Sequence, residues 1–378
     1  MAKNSLFQLG EYGQSVWFDD ISRPLVRGDG LQKLIDERAV VGVTSNPSIF
    51  EKAIAATSDY DDDLRRFSKA GLSPEEIFME LALDDVARGL DTLKPTYEGS
   101  GRIDGRVSME VLASLAYETA RTQTQVRDIW KRVNRENLMI KIPATREGVP
   151  AIEEMLYEGH SINITLIFGI DYYRQVMEAY VKALERRAAE GKDISRIGSV
   201  ASFFVSRVDT KVDKRLDSLV EKGELSSEDA NRLKGKAANA NAKLAYAEFK
   251  KTFQGPRFAP LSAKGARVQR PLWASTSTKN RAYPDTLYVE DLVGRDTVNT
   301  MPRATLDAYA DHGQPRPDAV EEGVADAGSL FSQLEEIGVD MQQVTEELVH
   351  EGVKTFADAF DKLLQAIREK TAKVHSES

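Results

Sequence analysis

Lys141 stands inside an apolar run, Leu138, Met139, Ile140 and Ile142, within the stretch NLMIKIPAT at 137–145. A short continuous apolar run reads as a strand buried on both faces, and lysine is almost never fully buried unless it is paired or has a task. Among apolar groups an ammonium loses its hydration, which favours the neutral amine. A neutral amine attacks a carbonyl carbon to give a Schiff base. The iminium then accepts the electron pair released when the adjacent carbon–carbon bond breaks. Such a reaction needs a base for a hydroxyl proton and a second acid–base group to dehydrate the carbinolamine. Asp19 and Glu110, near the ends of the apolar runs SVWFD (15–19) and DGRVSMEV (104–111), suit those two tasks. Arg207 and Ser275, at the ends of later runs, suit a phosphate group. The residues point to a Schiff-base lyase or transferase acting on a phosphorylated sugar.

Those side chains have to be held by elements, and the sequence alternates short β-like runs with longer helical patterns. The runs are 15–19, 40–45 (VVGVTS), 104–111, 137–142, 161–168 (SINITLIF), 197–207 (IGSVASFFVSR), 270–276 (RPLWAST) and 296–302 (DTVNTMP). Helices are expected at 113–132 and 171–190, and in two segments within 59–94, one opened by Ser73-Pro74-Glu75-Glu76. Residues 208–253, charged and alanine-rich, also read as helical. This alternation predicts an α/β fold, a (β/α)8 barrel, with an open doubly wound sheet as the competitor. The barrel spans about 15–310 of one domain, 1–378. From 317 to about 372, Val344, Leu348, Phe356, Phe360, Leu363, Leu364 and Ile367 recur at near-helical spacing. They predict one or two helices docked on the barrel, with the stripe packing the core.

In such a barrel chemistry gathers at the C-terminal strand ends, and those ends carry Asp19, Thr44, Asn46, Glu110, Lys141, Asn163, Thr165, Ser202, Arg207 and Ser275. Each has an ordinary reading alone. Asn46-Pro47 is a turn before a helix, Glu110 a solvated carboxylate, and Arg207 a partner for Asp209 or Asp213. Their joint placement at successive strand ends is what those readings explain poorly.

Composition narrows the classes. With no cysteine among 378 residues, disulfides, thiolate metal sites and a cysteine nucleophile are excluded. The four histidines, His160, His312, His350 and His375, show no metal-ligand spacing, so no metal site is expected. Gly-rich nucleotide motifs and GxSxG are absent. A net charge of −9 argues against nucleic acid as a partner. No apolar stretch approaches the ~20 residues of a membrane span, and the N-terminal residues show no secretory pattern. The cytoplasm is the expected compartment.

Five stretches in order, GVTSNPSIF, GRVSMEV, NLMIKIPAT, INITLIF and WASTSTKN, resemble the transaldolase family in its longer bacterial subfamily, over about residues 15–310. The resemblance implies Lys141 as the Schiff-base residue, Asp19 as its acid–base aspartate and Glu110 as its glutamate. It further implies that Thr165 helps hold a catalytic water beside Glu110, and that Thr44, Asn46 and Asn163 bind substrate. Ser202 and Arg207 match the family's phosphate-binding serine and arginine. The strand-seven arginine of many members is missing from Ser275-Thr276-Ser277-Thr278-Lys279, where Lys279 is the candidate to supply its charge. Phe204, two residues past Ser202 and on the same strand face, is expected to keep water from the carbanionic intermediate. The implied reaction moves a dihydroxyacetone unit from sedoheptulose 7-phosphate or fructose 6-phosphate to an aldose phosphate, in the pentose phosphate pathway. No cofactor is implied. The partners are small sugar phosphates, and a homodimer is allowed. The alternatives are a fructose 6-phosphate aldolase of the same superfamily and a catalytically silent sugar-phosphate binder.

Overall fold

The computed structural model describes residues 4–376, so the first three and last two residues of the 1–378 span, and the side chains of His375 and Ser376, lie outside the described residues. Eight strands form where the apolar runs stand: β1 Gln14–Phe18, β2 Val40–Thr44, β3 Arg106–Glu110, β4 Leu138–Pro143, β5 Ile162–Ile167, β6 Ser199–Phe204, β7 Arg270–Ala274 and β8 Thr297–Met301. Every neighbouring pair is parallel, and β1 pairs with β8, so the sheet closes. Closure excludes the open doubly wound alternative. It also explains the continuous apolar runs, because one strand face meets helices and the other meets the barrel interior.

Hydrogen bonds identify the inward face. Asn163 Nδ2 on β5 donates to Ser108 Oγ on β3 at 3.0 Å, a contact that skips β4 and so crosses the interior. Ser202 Oγ on β6 donates to Asn163 Oδ1 at 2.7 Å. Strand alternation then turns Ser108 and Glu110, Met139 and Lys141, Asn163 and Thr165, Ser202 and Phe204 inward together. Leu138, Ile140 and Ile142 face the helices and are fully buried. Trp17 fills much of the interior, and Gly42 opposite it has to be glycine: a Cβ there would lie 2.4 Å from the indole ring.

The helices follow their start signals. Ser73 and Glu76 form a reciprocal capping box, with Pro74 at the first position of the helix Pro74–Gly99. Asn46 caps the helix Pro47–Ala56 by accepting from Ile49 N at 3.2 Å. The helix expected at 113–132 begins later, at Thr119, because the chain first makes a 3-10 turn, Ala113–Leu115. The helical stretch 208–253 is three helices, Ser206–Glu221, Ser227–Leu233 and Ala237–Phe253. The C-terminal segment forms Val324–Glu336 and the long helix Met341–Ser376. This last helix packs on Pro47–Ala56, Asp61–Lys69, Pro74–Gly99 and Ser206–Glu221, and also touches β5. Among the described residues no helix is long and apolar enough to cross a membrane.

Candidate active site

β4 delivers Lys141 into the barrel mouth with its side chain only 6% exposed. Nζ donates to the Ser45 carbonyl oxygen at 3.0 Å, just beyond β2, and lies 3.6 Å from Glu110 Oε2 on neighbouring β3. The Glu110–Lys141 pairing follows from register, since the two residues are Cα partners across β3 and β4. Burial pushes Glu110 up to about 7; Lys141 opposes the rise, and the Asp19 charge adds to it. Both Glu110 carboxylate oxygens and Thr165 Oγ1 are buried without a hydrogen-bond partner among the described residues. Buried polar groups are nearly always satisfied, so this pair of orphans marks a place built for a polar guest.

Asp19 follows β1, where its amide donates to Met301 O at 2.9 Å. Thr44 Oγ1 donates to Asp19 Oδ1 at 2.6 Å and shares a 2.7 Å hydrogen bond with Thr300 Oγ1 of β8. Burial raises the Asp19 pKa, against the pull of Lys141, the Thr44 hydrogen bond and Lys279. Asp20 beside it is pushed up to about 6, by burial and then by Asp19.

Positive charge collects around the later strand ends. Arg207, in the first turn of the helix after β6, lies over the Phe204 ring with 5.3 Å to the centroid. It does not pair with the nearby aspartates. Asp209 instead accepts from Ala238 N and Tyr288 OH, and Asp213 from Gly235 N and Tyr283 OH. Burial lowers the Arg207 pKa, with Glu351 opposing. Lys279 is lowered by burial and by Arg207, with Asp19 opposing, which places Lys279 within electrostatic reach of both. Ser275 has a left-handed φ of 56° at the end of β7, and its Oγ meets Ser206 Oγ at 2.9 Å. Strained backbone of this kind persists where surrounding structure holds it.

The expected residues divide into two levels. Lys141, Glu110, Asp19, Thr44, Thr165 and Phe204 share the mouth, with Arg207, Ser275 and Lys279 on one side. Asn163 and Ser202 sit beneath it, hydrogen-bonded to each other and 0% and 2% exposed. Ser202 therefore faces Asn163 in the barrel interior. Asn46 spends its side-chain oxygen on the cap of its helix, which leaves its Nδ2 group.

The family model described as transaldolase/fructose-6-phosphate aldolase matches residues 16–367. A transaldolase of Mycobacterium ulcerans is 48% identical over 365 residues, covering 96% of each chain. One of Saccharopolyspora erythraea is 48% identical over 370 residues and covers 98% of each. The chain belongs to the transaldolase/fructose-6-phosphate aldolase family.

Beyond the family motifs, the structure adds a residue that spacing reads as core. Phe356, on the long C-terminal helix, places its ring over Lys141 Nζ with 5.9 Å to the centroid. Phe360, one turn on, meets Phe78 edge-to-face at 5.5 Å, and Phe78 meets Phe50 in the same way at 5.4 Å. These three rings line a small cavity beside Glu110. No sequence signal distinguishes Phe356 from its neighbours in the stripe, because helical period tells which face is buried and not what it is buried against.

Proposed function

We propose that this chain is a transaldolase, moving a dihydroxyacetone unit between ketose and aldose phosphates through a Schiff base on Lys141. The observation that carries the reading is the amine itself, buried in the barrel mouth beside Glu110 and close to a second raised carboxylate, Asp19. Lys141 Nζ adds to the ketose C2 carbonyl. Glu110, with Thr165 Oγ1, handles the water that leaves as the carbinolamine becomes an iminium. Asp19 takes the proton from the C4 hydroxyl as the C3–C4 bond breaks, and the electron pair moves into the iminium to give an enamine. The aldose departs, a second aldose phosphate enters, and the same steps run in reverse. Thr44 orients Asp19, Phe204 excludes water, and Arg207 with Lys279 and Ser275 holds the phosphate. The enzyme works in the cytoplasm, as a single barrel domain with its C-terminal helices docked on it.

Incubation with fructose 6-phosphate, with and without erythrose 4-phosphate, tests the reading. A transaldolase consumes the ketose only when the acceptor is present, whereas an aldolase releases free dihydroxyacetone without it and a binder does neither. Borohydride reduction in the presence of fructose 6-phosphate should fix a substrate fragment to Lys141, and Lys141→Met should abolish turnover. An adduct on another lysine, or full activity in Lys141→Met, overturns the assignment.

A further inference from the structure

The alternation that turns Lys141 inward also brings charge to the opposite end of the barrel. On β3 the inward set runs Arg106, Ser108, Glu110, and on β7 it runs Arg270, Leu272, Ala274. The N-terminal mouth therefore holds two guanidiniums, with Arg106 1% and Arg270 7% exposed. A cavity of about 220 Å³ opens there, walled by Arg102, Arg106, Arg267 and Arg270, with Met139 and Val200 at its floor. Met139 precedes Lys141 by two residues on the same face of β4, so one layer of side chains separates the cavity from the reactive amine.

The charge around this cavity is unbalanced. Arg270 pairs with Asp104 at 2.8 Å, and Asp296 stands at the rim. Among the described residues Arg106 donates only to neutral acceptors: Ser161 Oγ at 3.3 Å, Ile103 O at 3.3 Å and Arg102 O at 2.9 Å. Arg267 donates to Arg102 O, and to Gly101 O at 2.6 Å. Those carbonyls belong to the turn after the helix Pro74–Gly99, whose dipole answers part of the positive charge. Arg102, in left-handed backbone with φ 72°, makes no side-chain hydrogen bond or ion pair among the described residues. Burial pushes Arg106 down to about 10; Tyr97 and, less strongly, Asp104 oppose this, while Arg267 and Arg270 add repulsion. Arg267 is lowered too, by burial first, with Arg102 and Arg270 contributing. A purely structural clamp on the turn explains the bonds to carbonyls. It does not explain an open cavity between four like charges, nor an arginine at its wall with nothing to hold. Buried charge is ordinarily paired, and the fully buried Arg106 has no carboxylate of its own among the described residues, while Arg102 and Arg267 stand half-buried beside it.

We propose that the N-terminal mouth of the barrel is a second anion site, which takes a phosphate dianion between Arg102, Arg106 and Arg267. Guanidinium forks match tetrahedral oxyanions, and a dianion supplies the charge that the four arginines lack. The site is independent of the Schiff-base reading, since it shares no residue with the C-terminal mouth.

Calorimetric titration at constant ionic strength tests it, on full-length protein carrying Arg207→Ala and Lys279→Ala to weaken phosphate binding at the other end. Inorganic phosphate and glycerol 3-phosphate are titrated separately, with chloride as the control. One site is expected, and adding Arg102→Gln should weaken it about tenfold, the size of one charge-assisted contact. Arg267→Gln should do the same, but it also removes bonds to the turn, so Arg102→Gln is the deciding variant. Tighter binding of inorganic phosphate assigns the free anion, and tighter binding of glycerol 3-phosphate assigns the phosphoryl group of a metabolite; either upholds the site. No heat above the chloride control, or an affinity that Arg102→Gln leaves unchanged, overturns it.

Discussion

Glu110 shows how one residue is brought to titrate near neutral pH. Its carboxyl is buried beside a small cavity that Phe50, Phe78 and Phe360 also line, and the Lys141 amine at 3.6 Å only partly compensates for the burial. The folded state therefore holds a proton on Glu110 up to about pH 7, above the ordinary 4.5. Because the folded state binds more protons than the unfolded chain between those values, its stability is fully present below about 4.5 and is lost as pH rises through about 7. Of the effect of a shift of this size, on the order of 2–3 kcal/mol falls between pH 5 and pH 8. Glu110→Gln removes the titration, so the loss of urea-unfolding free energy between pH 5 and pH 8 should shrink by about that amount. Asp19 and Asp20 are raised as well and remain in the variant, so the difference reports Glu110 together with its coupling to Asp19. An unchanged pH dependence would show that Glu110 titrates normally. Lys141 was legible in the sequence because its apolar neighbours are adjacent in the chain. The shifted state of Glu110 was not, because one ring lining the cavity beside it, Phe360, comes from the far end of the chain.

At the scale of elements, all eight strands were readable, most of them as apolar runs buried on both faces, with β8 the least apolar because Thr297, Asn299 and Thr300 interrupt it. What could not be read is how the long helix Met341–Ser376 meets the barrel. β5 carries a register shift between Ile164 and Ile167, with Leu166 in left-handed backbone at φ 60°. Bulges of this kind re-aim side chains near active sites, and this one follows Thr165 directly. Gly352 of the helix lies against it: a Cβ there would come within 2.9 Å of Leu166 Cδ2. That close approach sets Phe356, one turn further on, above Lys141. On the transaldolase reading, its ring excludes water from the Schiff base and favours the cationic iminium by a cation–π contact of about 0.5–2 kcal/mol. Phe356→Ala should lower transfer about tenfold and raise the fraction of dihydroxyacetone released free. Phe356→Leu should restore the exclusion of water but not the cation–π contact, and so recover only part of the rate. Product ratios from fructose 6-phosphate with erythrose 4-phosphate measure both effects. If Phe356→Ala folds normally and keeps the wild-type rate and ratio, the ring is packing alone.

For the whole molecule, the question is whether barrel and C-terminal helices unfold as one unit. The helix Met341–Ser376 buries Val344, Leu348, Phe360, Leu363, Ile367 and Val374 almost completely, and the partners of that stripe are helices spread along the barrel sequence. Lys211 bridges to Glu347 at 2.7 Å and Arg215 to the same carboxylate at 2.7 Å, joining the helix to Ser206–Glu221. Lys370 donates to Ile54 O at 2.7 Å and pairs with Asp61 at 3.1 Å, joining its other end to the segment after β2. Surface ion pairs add little individually, so the apolar stripe carries most of the attachment. Removing it would expose apolar surface on both sides of the interface, which couples the two parts energetically. Trp17, Trp130 and Trp273 supply a selective probe, because all three precede the C-terminal segment and Trp17 and Trp273 are fully buried in the barrel. In a urea titration, tryptophan fluorescence, helical circular dichroism and the loss of transfer activity should follow one curve with a common midpoint. If activity and a share of the helical signal disappear at lower urea than the tryptophan change, the C-terminal helices are a separate unit, and the single-domain assignment fails.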